Sequence, residues 1–114
     1  MKTSNEWVQN DYVIRVLGAP GEVPSDEWNA LLAQEADPSP FMRHEYLSAL
    51  HESGSAGPLA GWQARFVTLW QGGELAAACP LYLKNHSYGE YVFDWAWANA
   101  YAQHGLSYYP KALV

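Results

Sequence analysis

The sequence predicts a mixed α/β (α+β) fold in the order β-α-α-β-β-β-α, and three observations lead there. A β-branched apolar run, "YVIRVL", stands early in the chain and is closed by Gly and Pro. Two stretches with apolar residues at helical spacing follow. A pair of strand-like runs then flanks a Gly-Gly turn.

Residues 1–11 are polar and are expected to form a flexible N-terminus, leaving 12–114 as the folded domain. "YVIRVL" (12–17) is the first strand, and "GAPGEVP" (18–24), with two Gly and two Pro, breaks it. Ser25 is placed to cap a helix over 26–36, where Asp26 and Glu27 meet the positive helix end and Trp28, Leu31 and Leu32 share a face. "DPSP" (37–40) ends that helix and begins another, since Ser39 can cap it and Pro40 suits a first turn. In the second helix, 41–53, Tyr46, Leu47 and Leu50 form the apolar stripe, and 53–61 is loop.

Residues 62–70 and 75–84 should pair as an antiparallel hairpin, because Gly72 and Gly73 supply the positive φ that a tight hairpin turn demands. Pro80 within the second run predicts an edge position or a bulge, as proline has no N–H to give the ladder. Residues 88–94 read as a further strand or extended segment. Asp94 is then positioned to cap a helix over 95–104, with Trp97, Tyr101 and His104 along one side. The closing "GLSYYPKALV" ends on an apolar run, which suggests that the chain is the opening part of a larger fold.

At 114 residues there is room for one core. Six Lys and Arg stand against twelve Asp and Glu, a net charge of −6, which disfavours binding to duplex nucleic acid. The single Cys79 excludes an intramolecular disulfide. No secretory signal opens the chain, and no window nears the roughly 18 apolar residues of a membrane span, so a cytoplasmic location is expected. Aromatic residues make up 15% of the chain, with six Trp and eight Tyr. Tyr and Trp join apolar area to a hydrogen-bonding tip, which suits clefts as well as cores.

The chemical candidates narrow quickly. His44 and His51 lie seven residues apart, not at the i, i+4 spacing of a helical zinc site, and read as exposed helix-surface residues. Cys79, in the "AAAC" run, reads as a small buried thiol. Neither a GxSxG elbow nor a glycine-rich phosphate loop is present. Glu90 and Asp94 on one strand would stand about 13 Å apart, beyond the ~10 Å of a glycosidase pair. What remains is the loop after Lys84, "NHSYG", and the later "YYPK". Lys84 and Lys111 beside Tyr88 and Tyr109 make a reasonable cradle for an anionic ligand, with Glu90 as a polar neighbour.

"PLYLKNHSYGEYVFDWAWANAYAQHGLSYYPK" (80–111) resembles the signature region of a bacterial family described as FemAB-like, or peptidoglycan biosynthesis/recognition, placed in the GNAT acyltransferase superfamily. "SPFMRHEYLSALHESGSAG" (39–57) resembles a helix of the same family. The resemblance implies a partial GNAT-like mixed sheet with flanking helices, transfer of an acyl or aminoacyl group to an amine, and a small-molecule or peptidoglycan-precursor acceptor. It implies acyl-CoA or aminoacyl-tRNA as donor in a full-length protein, with no cofactor held by this chain. On that reading Lys84, Tyr88, Glu90, Tyr109 and Lys111 are substrate-binding candidates. Two features depart from the pattern. The "[QR]xxGx[GA]" turn with which GNAT enzymes grip the donor pyrophosphate is missing, as "QHGLSY" (103–108) does not fit. Family members are also much longer. This chain alone is therefore expected to be inactive and, with an open sheet edge, to self-associate. The competing reading is a non-catalytic binding or assembly module that uses its aromatic surface.

Overall fold

The computed structural model describes residues 11–88 and 94–114. Among these, six strands and three α-helices form a mixed α+β fold, as the sequence predicts. The strands are β1 (Tyr12–Leu17), β2 (Trp62–Ala64), β3 (Phe66–Gln71), β4 (Glu74–Cys79), β5 (Tyr82–Lys84) and β6 (Lys111–Leu113). The helices are α1 (Ser25–Leu32), α2 (His44–Glu52) and α3 (Trp95–Gln103). The extended segment expected at 88–94, with Glu90, lies largely outside the described residues, as does most of the N-terminus expected to be flexible.

The hairpin forms as predicted. Gly72 and Gly73 take φ of 60° and 84°, and Gln71 faces Glu74 across the turn. Each arm of the hairpin is interrupted once, at Arg65 and at residues 80–81, so the strands divide between two antiparallel sheets. One sheet has the order β1-β3-β4 and the other β2-β5-β6. Pro80 sits at the interruption, where its missing N–H costs the ladder nothing. The Arg65 N–H donates to Leu81 O at 2.7 Å and ties the two breaks together. The strand at 111–113 was not legible in the closing segment; three residues carry too little pattern, and only pairing with β5 defines it.

The core lies between α1, α2 and the inner face of β3. Phe66, Thr68 and Trp70 alternate inward from β3 and meet Val23, Trp28, Leu47, Ala64 and Tyr82. The Phe66 ring stands 5.7 Å from Trp28 and 5.8 Å from Tyr82, and burying such a side chain contributes about 1.5–3 kcal/mol. Thr68 is tolerated in this apolar layer because its hydroxyl donates to Arg15 O at 2.8 Å and accepts from Trp70 Nε1 at 2.7 Å. Trp28 Nε1 likewise donates to Met42 O at 2.8 Å.

Several local expectations need correction. Ser25 is the first residue of α1, not its cap; Pro24 holds the cap position with extended ψ. Ser39 does cap, accepting from the Phe41 N–H, but into a short 3₁₀ turn at Pro40–Met42 that precedes α2. His44 is buried rather than exposed: Nε2 donates to Pro20 O at 2.7 Å and Nδ1 accepts from the Ser48 hydroxyl at 3.3 Å. The aromatic neighbour Trp28 and two local polar partners make that position acceptable for an imidazole. Tyr46, expected in the apolar stripe, is 42% exposed and packs on Phe41 instead. Cys79 is only partly buried.

Candidate functional site

The site is assembled around β5 and β6, whose register sets Lys84 opposite Lys111. Trp62 of β2 is the partner of Lys84 on its other side, and the ammonium rests 4.7 Å from the centre of that indole. Lys84, expected in a cradle open to an anionic ligand, is 2% exposed, because the Trp62 indole and the β2–β5 pairing cover it. The following loop turns over Gly61. His86 Nε2 donates to Ala60 O at 3.1 Å, and Nδ1 accepts from the Tyr88 N–H at 3.2 Å. A carbonyl can only accept and an amide N–H only donate, so the neutral Nε2–H tautomer satisfies both contacts.

Lys111 is the hub. Its ammonium donates to Asp94 Oδ2 at 2.7 Å and to the Ser87 hydroxyl at 3.0 Å. Ser87 in turn shares a 2.7 Å hydrogen bond with the Tyr109 hydroxyl, and Tyr108 donates to Asp94 Oδ2 at 2.8 Å. The ion pair is largely shielded, with side chains 15% and 13% exposed for Lys111 and Asp94. The Lys111 ammonium, the Ser87 and Tyr108 hydroxyls and the local backbone hold the Asp94 carboxyl far below the usual carboxylate range. Donation to that carboxylate pushes the Tyr108 phenol up, with burial adding to the effect. Asp94 Oδ1 is buried and accepts nothing among the described residues.

Asp94 stands at the cap position of α3, yet makes no side-chain cap bond. Its carboxylate is drawn to Lys111 and Tyr108, which offer a full charge and a hydroxyl in place of helix N–H groups. Beside this cluster lies an exposed aromatic surface. Tyr88 is 70% exposed and meets Trp95 edge-on at 6.3 Å.

Of the five residues the sequence singles out, Lys84, Tyr109 and Lys111 come together, Tyr88 flanks them on the surface, and Glu90 lies outside the described residues. Ser87 and Tyr108 lie in the two segments that the sequence leaves as candidates but are not among the five, and Asp94 reads there as a helix cap. Asp94 could not be found from spacing, because its partner lies 17 positions away in sequence. Among the described residues no group of three or more His, Cys, Asp or Glu could hold a metal ion, and no helix is long and apolar enough to cross a membrane.

A family model described as FemAB_like, peptidoglycan biosynthesis/recognition, matches residues 20–114. No curated protein and no solved structure matches the chain. The match spans the three α-helices, every described strand except β1, and the residues clustered around Lys111, and the chain belongs to the FemAB-like family of peptidoglycan biosynthesis and recognition.

Proposed function

We propose that this protein serves N-acyl or aminoacyl transfer to an amine of a peptidoglycan precursor, and that the cluster around Lys111 is its acceptor-binding side. The observation that carries this reading is the convergence of Lys84, Lys111, Ser87 and Tyr109 on one end of the β2-β5-β6 sheet, within a family tied to peptidoglycan. Lys111, held by Asp94, sets an ammonium donor beside these hydroxyls in a chain of net charge −6. The half-buried Tyr109 hydroxyl can turn to donate or accept as a ligand requires, and buried Ser87 links it to Lys111. Muropeptides carry carboxylates for the first and amide and hydroxyl groups for the second. Asp94 holds Lys111 in place through its 2.7 Å contact. The donor, an acyl-CoA or an aminoacyl-tRNA, would be bound elsewhere, since the chain has no donor-phosphate turn.

Titration calorimetry of the purified chain with a soluble nucleotide-linked muropeptide tests the proposal. Binding that weakens at least tenfold in Ser87→Ala or Lys111→Met supports it; a charged hydrogen bond contributes about 1.5–3 kcal/mol. Absence of binding, or binding by both variants as tight as that of the parent chain, would sink it.

A further inference from the structure

We infer that His86 is a positioning residue for the cluster around Lys111, and that it holds Ser87 there only while its ring is uncharged. Its effect on binding rests on the acceptor-side reading above; its effect on the loop follows from hydrogen-bond geometry alone. Ser87 sits between two anchors. On one side its hydroxyl meets Lys111 Nζ at 3.0 Å and the Tyr109 hydroxyl at 2.7 Å. On the other, the backbone that carries it is tied down by His86, which bonds Ala60 O through Nε2 and the Tyr88 N–H through Nδ1. The Asn85 N–H adds a longer contact, 3.4 Å, to Gly61 O. The half-buried imidazole also lies so close to Gly61 that a Cβ there would collide with it. The turn at Pro58–Ala60 and Gly61 thus fix the ring, and the Tyr88 peptide follows the ring.

Both ring nitrogens face partners of fixed sign. A carbonyl cannot donate and a backbone N–H cannot accept, so the neutral ring fits and the imidazolium does not. Protonation keeps the Ala60 contact and strengthens it, because Nε2 already donates there. At Nδ1 it sets two N–H groups against each other. With the ring held by Ala60 and Gly61, the Tyr88 peptide must turn away, and Ser87 is joined to it directly. Acid should therefore withdraw the Ser87 hydroxyl from Lys111 and Tyr109. An imidazole changes charge between about pH 5 and 8, above the range in which Asp94 releases Lys111.

The surroundings of the ring do not cancel this effect. Residues 57–61 carry no titratable side chain. The Tyr88 ring stands 5.1 Å away, centre to centre, and a phenol is uncharged across that pH range. β5 brings Lys84, which rests on Trp62, and β6 brings Lys111, which is engaged with Asp94. Among the described residues no carboxylate forms an ion pair with the imidazole and so favours its charged form.

Nuclear magnetic resonance of the ligand-free chain tests the role of His86. At about pH 8 the Ser87 β-protons and the Tyr109 ring should show a nuclear Overhauser effect. At about pH 5.5 it should be lost, in step with protonation of His86 seen in its own ring-nitrogen shifts. His86→Asn is the rescue: its side-chain carbonyl can accept from the Tyr88 N–H, as in an Asx turn, and cannot titrate. That variant should keep the effect at both pH values, which separates His86 from His44, His51 and His104. His86→Ala, with no acceptor, should lack it at both. Calorimetry with the nucleotide-linked muropeptide should follow the same pattern. Parent affinity should fall about tenfold at the lower pH, and that of His86→Asn should not change with pH. A contact that persists in the parent once His86 is protonated overturns the proposal. So does a ring still neutral at about pH 5.5, or a loss shared by His86→Asn. A muropeptide that binds at neither pH refutes the acceptor-side reading, and the ligand-free spectra still decide the role of His86.

Discussion

Lys84 and Lys111 face each other across the β5–β6 ladder, one resting on the Trp62 indole and the other paired with Asp94. Like charges directly opposite on antiparallel strands repel. Here an aromatic face and a carboxylate offset that repulsion.

The two lysines should therefore contribute differently to ligand binding and to folding. Lys111→Met is expected to weaken an anionic muropeptide about tenfold or more, as measured by calorimetry, whereas Lys84→Met, at a residue 2% exposed, should leave the affinity unchanged. Lys84→Met should instead shift the Trp62 fluorescence, since the ammonium over that ring is removed. Unchanged affinity in both variants would leave the pair with a packing role alone.

Asp94 should impose a pH dependence on stability. Its folded value is depressed, so its contribution is complete above the unfolded value near pH 4 and is lost as pH falls towards the folded one. The stability difference between the parent chain and Asp94→Asn, from urea unfolding, should be constant between pH 5 and 8 and shrink below about pH 4. A difference that stays flat down to pH 2 would mean that Asp94 is not coupled to Lys111.

The sequence exposed what repeats locally and concealed what is joined at a distance. The Gly72–Gly73 hairpin, the break at Pro80, the first strand and all three α-helices were legible, because turn chemistry and periodicity are written in neighbouring residues. Lys111, Tyr109 and Lys84 were legible as a cationic, hydroxylated group. Asp94 was not: as a local residue before a helix it reads as a cap, and its use by Lys111 and Tyr108 exists only once β6 has paired with β5. His44 was misread for a related reason. Its burial depends on the Pro20 carbonyl, 24 positions earlier, closing over α2.

Gly61 should not tolerate a side chain. It has φ of 84°, and an added Cβ would lie 2.4 Å from His86 Nε2, within the loop that leads to Ser87. Gly61→Ala is expected to cost about 1–2 kcal/mol from backbone strain alone and to displace His86. A chemical-denaturation midpoint equal to that of the parent would refute this.

Phe66 anchors the core at 0% exposure between Trp28 and Tyr82. Phe66→Ala should destabilise the fold by about 3–5 kcal/mol, enough to leave much of a small domain unfolded at room temperature. Near-ultraviolet circular dichroism reads the loss directly, and a retained aromatic signal would place the core elsewhere.

The purified 114-residue chain should show no transfer from acetyl-CoA or aminoacyl-tRNA to a muropeptide amine. Such a reaction needs both substrates held together with charge stabilised at the carbonyl, and no donor-phosphate turn is present. Turnover abolished by Lys111→Met would show that the cluster is a self-sufficient active site.

Burial of Lys84 also decides how this protein behaves towards amine-reactive reagents. The chain has three lysines, Lys2, Lys84 and Lys111, and Lys84 keeps only 2% of its surface in contact with water. Succinimidyl labels, biotin esters and lysine cross-linkers will therefore spare it while the fold persists, and mark it once the β2–β5 pairing opens. Peptide mapping of that one residue gives a chemical footprint of the folded state that needs no mutation and no ligand.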